Sequence, residues 1–304
     1  MKRIILAGGS GFVGHAIAPA LLANDCHVIV LGRGAPHRKE GVNYLQWDGT
    51  TLGSWASALD GAEAVVNLTG KNINCRHTPE NRHEIIRSRI DSVRVLGEAI
   101  AQCAVPPKVF VQSSGVGYYG DTGDGIADES DPLGNDFPAE VCRQWEGAFD
   151  ALELRATRKV ILRLGVVLGR DGGALPMLEK LTRLFLGGAV GNGRQFVSWI
   201  HVDDIVRMFA AAIGHAELTG IFNATSPHPV TNAELMRELR HALHRPWSPP
   251  VPAPFARVGA WLMGTDGKLA LTSCRCVPRR FLEHQFDFQF PTLPAALADL
   301  YKNQ

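Results

Sequence analysis

Hydroxyl side chains cluster in the stretch SSGVGYYG, residues 113 to 120, which directly follows an apolar run. Serine and tyrosine hydroxyls can orient a carbonyl or an alcohol and move its proton. Ser114 and Tyr118 are therefore the candidate catalytic residues. The alternative is structural: the serines bond to backbone groups at a strand end and the tyrosines pack. We favour the structural alternative for acid–base catalysis, because no lysine accompanies either phenol to lower its pKa from about 10.

A second stretch suited to chemistry is GGSGFVG, residues 8 to 14, which lies between an apolar run and a helical pattern. Glycines at 8, 11 and 14 allow a tight turn, a close backbone approach to a pyrophosphate, and close packing of the helix on the strand. Free N–H groups at the helix start would bind the phosphates. A merely tight turn is the alternative, but the flanking strand and helix favour a dinucleotide site. The expected contacts are Gly8, Ser10, Gly11, Phe12, Val13 and Gly14.

The end of the second apolar run indicates which dinucleotide binds. NAD enzymes usually carry an acidic residue there to hold the ribose hydroxyls. This chain has LGRGAPHRK instead, with Gly32 and Arg33 in that place and no acid nearby. A guanidinium matches a phosphate in charge and in fork geometry, so Arg33 predicts NADP over NAD. The alternative is a solvated surface arginine.

Alternating strands and helices must position these residues. Runs that are apolar throughout are typical of parallel strands covered on both faces, and segments with helical spacing separate them. This alternation predicts an α/β fold, a Rossmann-like doubly wound parallel sheet. The predicted strands are Arg3 to Leu6, Val28 to Leu31, Ala64 to Leu68, Val109 to Val111, Val160 to Leu164 and Gly220 to Asn223.

The C-terminal part has a different pattern and predicts a smaller lobe on the substrate side. We expect a Rossmann-like domain over residues 1–230, with 166–200 contributing to the substrate cleft, and a lobe over 231–304. Helices are expected at Ala233 to Leu243 and Ala295 to Tyr301. The proline-rich stretch between them is flanked by Trp247 and Phe255, which favour a packed, irregular surface over a free tether.

Composition limits the possible partners and the compartment. The formal net charge of +1 gives no basic field for nucleic acid. The six cysteines form no CxxC pair, which favours reduced thiols and no zinc site. No apolar segment is long enough for a signal-peptide core or a membrane span. We therefore expect a cytoplasmic monomer or homodimer with a small-molecule substrate. In HVDD, Asp203 or Asp204 is expected to cap the helix Ile205 to Ile213 and not to bind a metal.

Together these stretches resemble the extended and atypical short-chain dehydrogenases/reductases. The resemblance rests on GGSGFVG, NLTG (67 to 70), SSGVGYYG, RLGVVLG (163 to 169) and SWIHVDDIV (198 to 206). Within that superfamily the chain is similar to the poorly characterised branch called epimerase family proteins. That branch shares YYGD, CxxWE, GxGRQ and a stretch like VPRRF, so the resemblance covers essentially the whole chain.

The resemblance implies further cofactor contacts. Asp48 stands where extended members place an aspartate beside the adenine amino group. Leu68 and Thr69, with Gly70 in the same turn, would flank the adenosine ribose and the diphosphate. Arg89 stands where extended members commonly carry asparagine, and with Glu84 it would lie close to the cofactor. Gly165 to Val167 would approach the nicotinamide end, and Ser113 completes the expected contacts.

The resemblance also exposes a departure from the family pattern. Short-chain dehydrogenases work through a tyrosine, a lysine four residues later, and a serine or threonine. No tyrosine of this chain is followed by such a lysine. Depending on register, the Tyr and Lys places hold Phe137 and Val141, or Pro138 and Cys142. Gly115 occupies the usual Ser/Thr place, with Ser114 one residue away.

Two functions remain open from the sequence. The first is an NADP(H)-dependent oxidoreductase or epimerase-like enzyme with an atypical active site and an unknown substrate. The second is an NADP(H)-binding sensor or regulatory protein with little or no turnover. The cleft elements favour the first, whereas the absent Tyr–Lys pair favours the second. A conventional nucleotide-sugar epimerase is disfavoured, because that reaction needs the acid–base tyrosine.

Overall fold

The structure is a computed structural model that describes residues 1–268 and 270–302, and it is built around an eight-stranded sheet. The strands are β1 (Arg3–Ala7), β2 (His27–Gly32), β3 (His37–Lys39), β4 (Val42–Gln46), β5 (Ala64–Asn67), β6 (Val109–Gly115), β7 (Arg158–Leu164), β8 (Val166–Gly169), β9 (Gly172–Gly173), β10 (Phe196–Val197), β11 (Trp199–His201), β12 (Gly220–Ala224) and β13 (Val230–Thr231). The helices are α1 (Phe12–Ala23), α2 (Pro79–Ala101), α3 (Phe137–Asp150), α4 (Leu175–Arg183), α5 (Val202–Gly214), α6 (Asn232–Ala242), α7 (Ala253–Leu262), α8 (Arg279–Glu283) and α9 (Leu293–Tyr301).

The order of strands in the large sheet is β12-β7-β6-β5-β1-β2-β4-β3, and its pairs are parallel except β3 with β4. This confirms the predicted doubly wound α/β fold. The chain leaves β1 toward β2 on one side and later adds β5 on the other side. The direction of winding therefore reverses between β1 and β5. Ligands of open α/β sheets bind at such a reversal, outside the carboxyl ends of the strands.

Both faces of the sheet are covered, because alternate strand residues point to opposite sides. In β1, Ile4 and Leu6 pack in the layer that contains α1 and α5. Ile5 and Ala7 pack in the opposite layer, against α2 and α3. Two side-chain caps fix where the covering helices begin: Thr78 accepts a bond from the third residue of α2, and Asp136 does the same for α3.

Short strands build the remainder of the molecule. Strands β11, β8 and β9 form one small sheet, and β10 pairs with β13 in another. A third core cluster joins this region to α4, α6 and α9. The predicted helices near 233 and 295 are confirmed, with α6 beginning at the capping residue Thr231.

The C-terminal segment returns to the first part of the chain. The buried carboxylate of Asp204 accepts hydrogen bonds from the backbone N–H groups of Gln289 (2.8 Å) and Phe290 (2.9 Å). The amide of Asn223, on the edge strand β12, donates to the Val277 carbonyl at 3.0 Å. These contacts attach the end of the chain to the sheet and to α5.

One expectation for this region is confirmed and another is wrong. The proline-rich stretch is packed and is not a free tether, because Ser248 is buried and the Val251 N–H donates to the Ala189 carbonyl at 2.8 Å, although Trp247 and Phe255 themselves are 64% and 71% exposed. Helix α5 begins at Val202, and neither aspartate caps it. His201 does so, because its Nδ1 accepts the Asp203 N–H at 3.0 Å. Among residues 1–268 and 270–302, no helix has the length and apolar character needed to cross a membrane.

Candidate functional site

The glycine-rich turn between β1 and α1 has a geometry that other residues would disrupt. Gly8 has a φ of +72°, in the left-handed region, and a Cβ atom placed on it would lie 2.9 Å from Thr69 Oγ1. A Cβ atom on Gly14 would lie 2.3 Å from the Gly9 carbonyl oxygen. By contrast, the nearest atom to a Cβ on Gly11 is 3.6 Å away, which is an ordinary contact. Gly8 and Gly14 are therefore needed by the fold, whereas Gly11 leaves open space.

The start of α1 is free to bind an anion. Gly11 occupies the N-cap position and offers no side chain to the first N–H groups, and no acidic residue lies in the first turn. Those N–H groups and the positive end of the helix dipole therefore point at the space beside the turn. This is the arrangement that binds phosphates in dinucleotide sites.

A cavity of about 780 Å³ opens at this helix start, at the carboxyl ends of β1, β2 and β5. Ten of the residues expected to contact the cofactor line it: Gly8, Ser10, Gly11, Gly32, Arg33, Asp48, Leu68, Thr69, Gly70 and Glu84. Lining residues that the sequence did not single out include Trp47, Lys71, Arg87, Ser88 and Asp91. Five separate segments of the chain thus converge on one cavity at the reversal point of the sheet.

Two side chains of this cavity lack partners that a bound dinucleotide would supply. The Thr69 hydroxyl is buried and has no hydrogen-bond partner within the described part of the chain, although the Thr69 backbone N–H donates to Asn67 Oδ1 at 3.0 Å. The exposed guanidinium of Arg33 forms no hydrogen bond or ion pair with residues 1–268 and 270–302. An unpartnered buried hydroxyl and a free guanidinium beside a helix start fit a dinucleotide that carries an extra phosphate.

Asp48 and Glu84 are two of the three carboxylates that line the cavity, and Asp91 is the third. Asp48 accepts hydrogen bonds from the Thr51 hydroxyl (2.6 Å) and from the N–H groups of Thr50 and Thr51 (both 2.8 Å). These bonds, the Thr51 hydroxyl first, hold the pKa of Asp48 well below its usual range. Glu84 pairs with Lys71, which lowers the pKa of that carboxyl as well. Both carboxylates are therefore ionised acceptors at neutral pH.

The other residues expected to contact the cofactor lie outside this cavity. Phe12 packs its ring against the glycines of β9 and Gly169, and Val13 packs against the core. Gly14 faces the backbone of the turn, and the Ser113 hydroxyl donates to the Asn67 carbonyl at 2.8 Å. Val167 pairs with Ile200 inside the small sheet. Arg89 is buried behind Gly70.

Ser114 is bonded to an ion pair that the sequence did not predict. Its hydroxyl donates to Glu146 Oε1 at 2.6 Å, and both residues are buried. Arg163 meets both Glu146 oxygens, with Nε at 2.9 Å from Oε1 and Nη2 at 2.8 Å from Oε2. Arg163 Nη1 also donates to the Tyr119 hydroxyl at 3.0 Å, and that hydroxyl donates to Asn223 Oδ1 at 2.8 Å. A continuous chain of buried hydrogen bonds thus runs from the end of β6 to the edge strand.

The two tyrosines of the hydroxyl-rich stretch have different surroundings. Burial raises the pKa of Tyr119 far above its usual value, so this phenol stays protonated. The ring of Tyr118 lies over the Arg163 guanidinium, 3.3 Å from its Cζ, and its hydroxyl has no hydrogen bond to the described residues. Tyr118 lines a separate cavity of about 930 Å³ between α3, β7, β12 and α8. It does not line the cavity at the glycine-rich turn.

The positions where a Tyr–Lys pair would stand lie on α3. Phe137 packs edge to face on His77, with the ring centroids 4.8 Å apart. The thiol of Cys142 donates to the Gly115 carbonyl at 3.4 Å, and burial raises its pKa to about 11. No phenol and ammonium therefore face each other there. Both serines of the stretch are occupied inside the protein, Ser113 with backbone as expected and Ser114 with Glu146.

The Glu146–Arg163 pair could have been suspected from the sequence. Arg163 interrupts the apolar run VILRLG, and an arginine in a strand covered on both faces requires a counterion. The identity of that counterion was not accessible, because Glu146 lies on a helix 17 residues earlier in the chain. Asn223 is 104 residues from its partner Tyr119 and gave no local signal.

Comparisons with known proteins agree with the observed fold. Residues 4–224 match the model of the NAD dependent epimerase/dehydratase family, and residues 251–300 match a domain of unknown function, DUF1731. An epimerase family protein of Mycobacterium leprae is 36% identical over 97% of this chain and 94% of its own length. A chloroplastic homologue from Arabidopsis thaliana is 35% identical, over 97% of this chain and 85% of its own.

Solved structures are similar over the full length. The human epimerase family protein SDR39U1, crystallised with NADPH, has a TM-score of 0.89 at 32% identity, with 100% of both chains covered. UDP-glucuronic acid 4-epimerase from Bacillus cereus has a TM-score of 0.77 at 15% identity, covering 99% of this chain and 98% of its own, and so shows the fold alone. The sequence matches and the glycine-rich turn at the sheet reversal lead to one conclusion: this chain belongs to the NAD dependent epimerase/dehydratase family.

Proposed function

We propose that this protein binds NADP(H) and is an NADP(H)-dependent oxidoreductase or epimerase-like protein, of the short-chain dehydrogenase/reductase type, acting on a small molecule. One observation carries the proposal: the cavity of about 780 Å³ joins an uncapped helix start to a free guanidinium, Arg33. The NADPH in the crystal structure of human SDR39U1 supports the same cofactor for this chain.

Each part of the cavity has a role in this proposal. The turn from Gly8 to Gly14 and the start of α1 hold the pyrophosphate, and Arg33 holds the 2′-phosphate. Asp48, an ionised acceptor at the cavity wall, takes the adenine amino group. Leu68 and Thr69 flank the adenosine ribose and the diphosphate, and the unpartnered Thr69 hydroxyl gains a hydrogen bond.

The bound nicotinamide supplies or takes up a hydride. The chain's own contribution to proton movement begins at Ser114, whose proton is already donated to Glu146. Its oxygen is therefore left as an acceptor for a substrate hydroxyl. A proton received there can pass along the existing hydrogen bond to the Glu146 carboxylate, which two hydrogen bonds from Arg163 hold in place. This route replaces the absent Tyr–Lys pair.

The experiment has two parts. Calorimetry with NADPH and with NADH tests the cofactor, and tight NADPH binding is expected. A metabolite screen on the NADPH-bound protein, followed by loss of the reduced nicotinamide absorbance, then tests for turnover. Failure to bind either nucleotide would overturn the proposal.

A second candidate is an NADP(H)-binding sensor or regulatory protein. The observation that favours it is that Ser113, Ser114 and Tyr119 are all bonded within the protein. It predicts tight NADPH binding and different conformations with NADPH and NADP⁺, without hydride transfer to any screened compound. Hydride transfer at a rate that depends on Ser114 would exclude it.

We also propose that the protein works in the cytoplasm. All six cysteines are free, which is the usual state of thiols in a reducing compartment. Fractionation of cells that express the chain with a small tag tests this location, and recovery in an oxidising compartment would contradict it.

A further inference from the structure

Helix α7 presents its large apolar side chains to solvent. Four of them, each between 57% and 71% exposed, are Phe255, Val258, Trp261 and Leu262. Spacings of three, four and seven residues put side chains on one side of a helix, so these four form a single surface, the α7 face. No other helix in the described part of the chain exposes more than one large apolar side chain.

The opposite side of α7 is made of small residues, and it is this side that faces the protein. Ala253, Ala256 and Ala260 share it, and none of the three is exposed. The chain passes close to the helix, since a Cβ atom on Gly267 would lie 2.9 Å from the Cα atom of Arg257. A surface helix normally has the reverse arrangement, with its large apolar residues toward the core. The apolar side chains of α7 are therefore available to another molecule.

Contacts with the loop after β5 hold the end of α7 in this orientation. Arg76 Nη2 donates to the Trp261 carbonyl at 2.8 Å, and Arg76 Cζ lies 4.6 Å from the centroid of the Trp261 ring. Just beyond the helix, His77 Nδ1 lies 3.2 Å from Asp266 Oδ2. The α7 face is thus preformed, and a partner that binds it does not have to order the helix first.

The area of the α7 face fits the core of a protein dimer. From the exposed fractions of its two aromatic and two aliphatic side chains, it presents roughly 400 Å² of apolar surface. Monomers rarely expose contiguous apolar patches larger than a few hundred Å². Two such faces together would bury roughly 800 Å², close to the apolar share of a standard interface of about 1,600 Å².

The charges on and around the α7 face favour a second copy of the chain over a membrane. The face itself carries no charged side chain, and a two-fold axis brings the same patch of both copies together, so an uncharged apolar face matches itself. The net charge of +1 gives two copies little reason to repel each other. Residues 253–268 contain only two basic residues, Arg257 and Lys268, whereas segments that bind anionic membranes usually carry about four to eight.

We propose that the α7 face is the core of a two-fold interface between two copies of this chain, with Phe255 and Trp261 as its anchors. Buried aromatic side chains commonly dominate the binding energy of such cores. The polar side chains around the face would then form the rim. This proposal is independent of the proposed function, because no residue of the α7 face lines the dinucleotide cavity.

The test measures the oligomeric state of the full-length protein. In sedimentation equilibrium the unmodified chain should dimerise with a Kd below about 10 µM. Leu262→Glu buries a charge twice in a two-fold interface, so it should raise that Kd at least a hundredfold. Leu282→Glu makes the same change at an exposed leucine of α8 and should leave the Kd unchanged. Both variants should unfold at the temperature of the unmodified protein, because neither leucine is buried.

A second measurement uses the unmodified protein alone, so it holds even where a variant folds poorly. Hydrogen exchange of the amides of α7 should slow as the protein concentration rises, whereas exchange in α2 should not change. A chain that stays monomeric, or a dimer with no concentration-dependent protection of α7, would overturn the proposal. A monomer that sediments with mixed phosphatidylcholine and phosphatidylserine vesicles, and loses that binding in Leu262→Glu, would assign the face to a membrane and would also overturn it.

Discussion

The hydroxyl of Ser114 donates a 2.6 Å hydrogen bond to Glu146, and the carboxylate it meets is already held by both nitrogens of the Arg163 fork. The residue nearest the usual catalytic serine place is therefore part of a buried ionic network. That network joins the end of β6 to α3, β7 and the edge strand. The stability of this network and the proposed proton route both depend on Ser114, Glu146 and Arg163.

Removal of one member of the Glu146–Arg163 pair should be costly. Arg163→Met leaves a buried carboxylate unpaired, which typically costs about 3–5 kcal/mol of unfolding free energy. Glu146→Leu leaves the buried Arg163 guanidinium unpaired, and it should lower the free energy of unfolding by a similar amount. The double variant should lose clearly less than the sum of the two, measured by urea unfolding. Additive losses would show that the pair does not interact energetically.

Arg33 should decide the choice between the two nucleotides. The unmodified protein is expected to bind NADPH at least tenfold more tightly than NADH, which is about 1.4 kcal/mol. Arg33→Ala should remove most of that difference, because the guanidinium has no other partner in the described chain. Arg155→Ala, another exposed arginine, serves as the control. Equal affinities of the unmodified protein for both nucleotides, by calorimetry, would refute the role of Arg33.

Gly11 and Gly14 of the turn offer a matched pair of substitutions. A methyl group on Gly11 meets nothing closer than 3.6 Å, so Gly11→Ala should unfold at the same temperature but bind NADPH at least tenfold more weakly, about 1.4 kcal/mol. On Gly14 it would collide with Gly9 backbone at 2.3 Å, so Gly14→Ala should lose at least about 2 kcal/mol of stability. Unchanged NADPH binding in Gly11→Ala would mean that the cofactor lies elsewhere.

Tyr118 and Tyr119 should differ sharply when each loses its hydroxyl. Tyr118→Phe keeps the ring on Arg163 and removes a hydroxyl that has no hydrogen-bond partner among the residues that the structure describes, so stability should change little. Tyr119→Phe breaks the bonds to Arg163 and Asn223 and should cost about 1–3 kcal/mol. Single-turnover hydride transfer should fall only modestly in Tyr118→Phe. A loss above about a hundredfold, the low end of general acid catalysis, would show that Tyr118 is the working acid.

Glu129 should make the protein less stable as the pH rises. Burial raises the pKa of this carboxyl above its ordinary value of 4.5, although it accepts the N–H of Asn223 at 2.9 Å. Above pH 4.5 the unfolded chain loses this proton before the folded protein does, so stability falls until the pH exceeds the raised folded pKa. Glu129→Gln removes that loss. The free energy of unfolding of this variant, relative to that of the unmodified protein, should rise between pH 4 and pH 7. A difference that stays constant over this range would contradict the raised pKa of Glu129.

The sequence predicted those parts of the fold that are marked by a local pattern of apolar residues or glycines. The apolar run at Val109 was expected to be a strand and is one, extended to Gly115 by two serines that bond within the fold. The turn from Gly8 to Gly14 and Arg33 were expected at one cavity edge, and Gly8, Ser10, Gly11 and Arg33 line it. Local pattern was enough here, because the turn, the helix and the strand ends are neighbours in sequence.

The parts that were missed depend on distant partners. Asp204 was expected to cap a helix but binds backbone 85 and 86 residues later. Strands of two residues, such as β10, carry no alternation from which to identify them. The cation Arg89 was expected beside the cofactor, and only the three-dimensional contacts show that Gly70 stands between it and the cavity.

The hydrogen bonds that Asp204 accepts from Gln289 and Phe290 can form only late in the synthesis of the chain. The ribosome makes the chain from the N-terminus, so α5 and the sheet emerge well before residue 290. Until then the carboxylate of Asp204, fully buried in the finished protein, lacks both backbone donors. We expect the nascent chain to remain open at this point and accessible to chaperones until Gln289 and Phe290 have left the ribosome. A chain released early would carry that unfinished surface permanently, and quality-control proteases would have a site to attack.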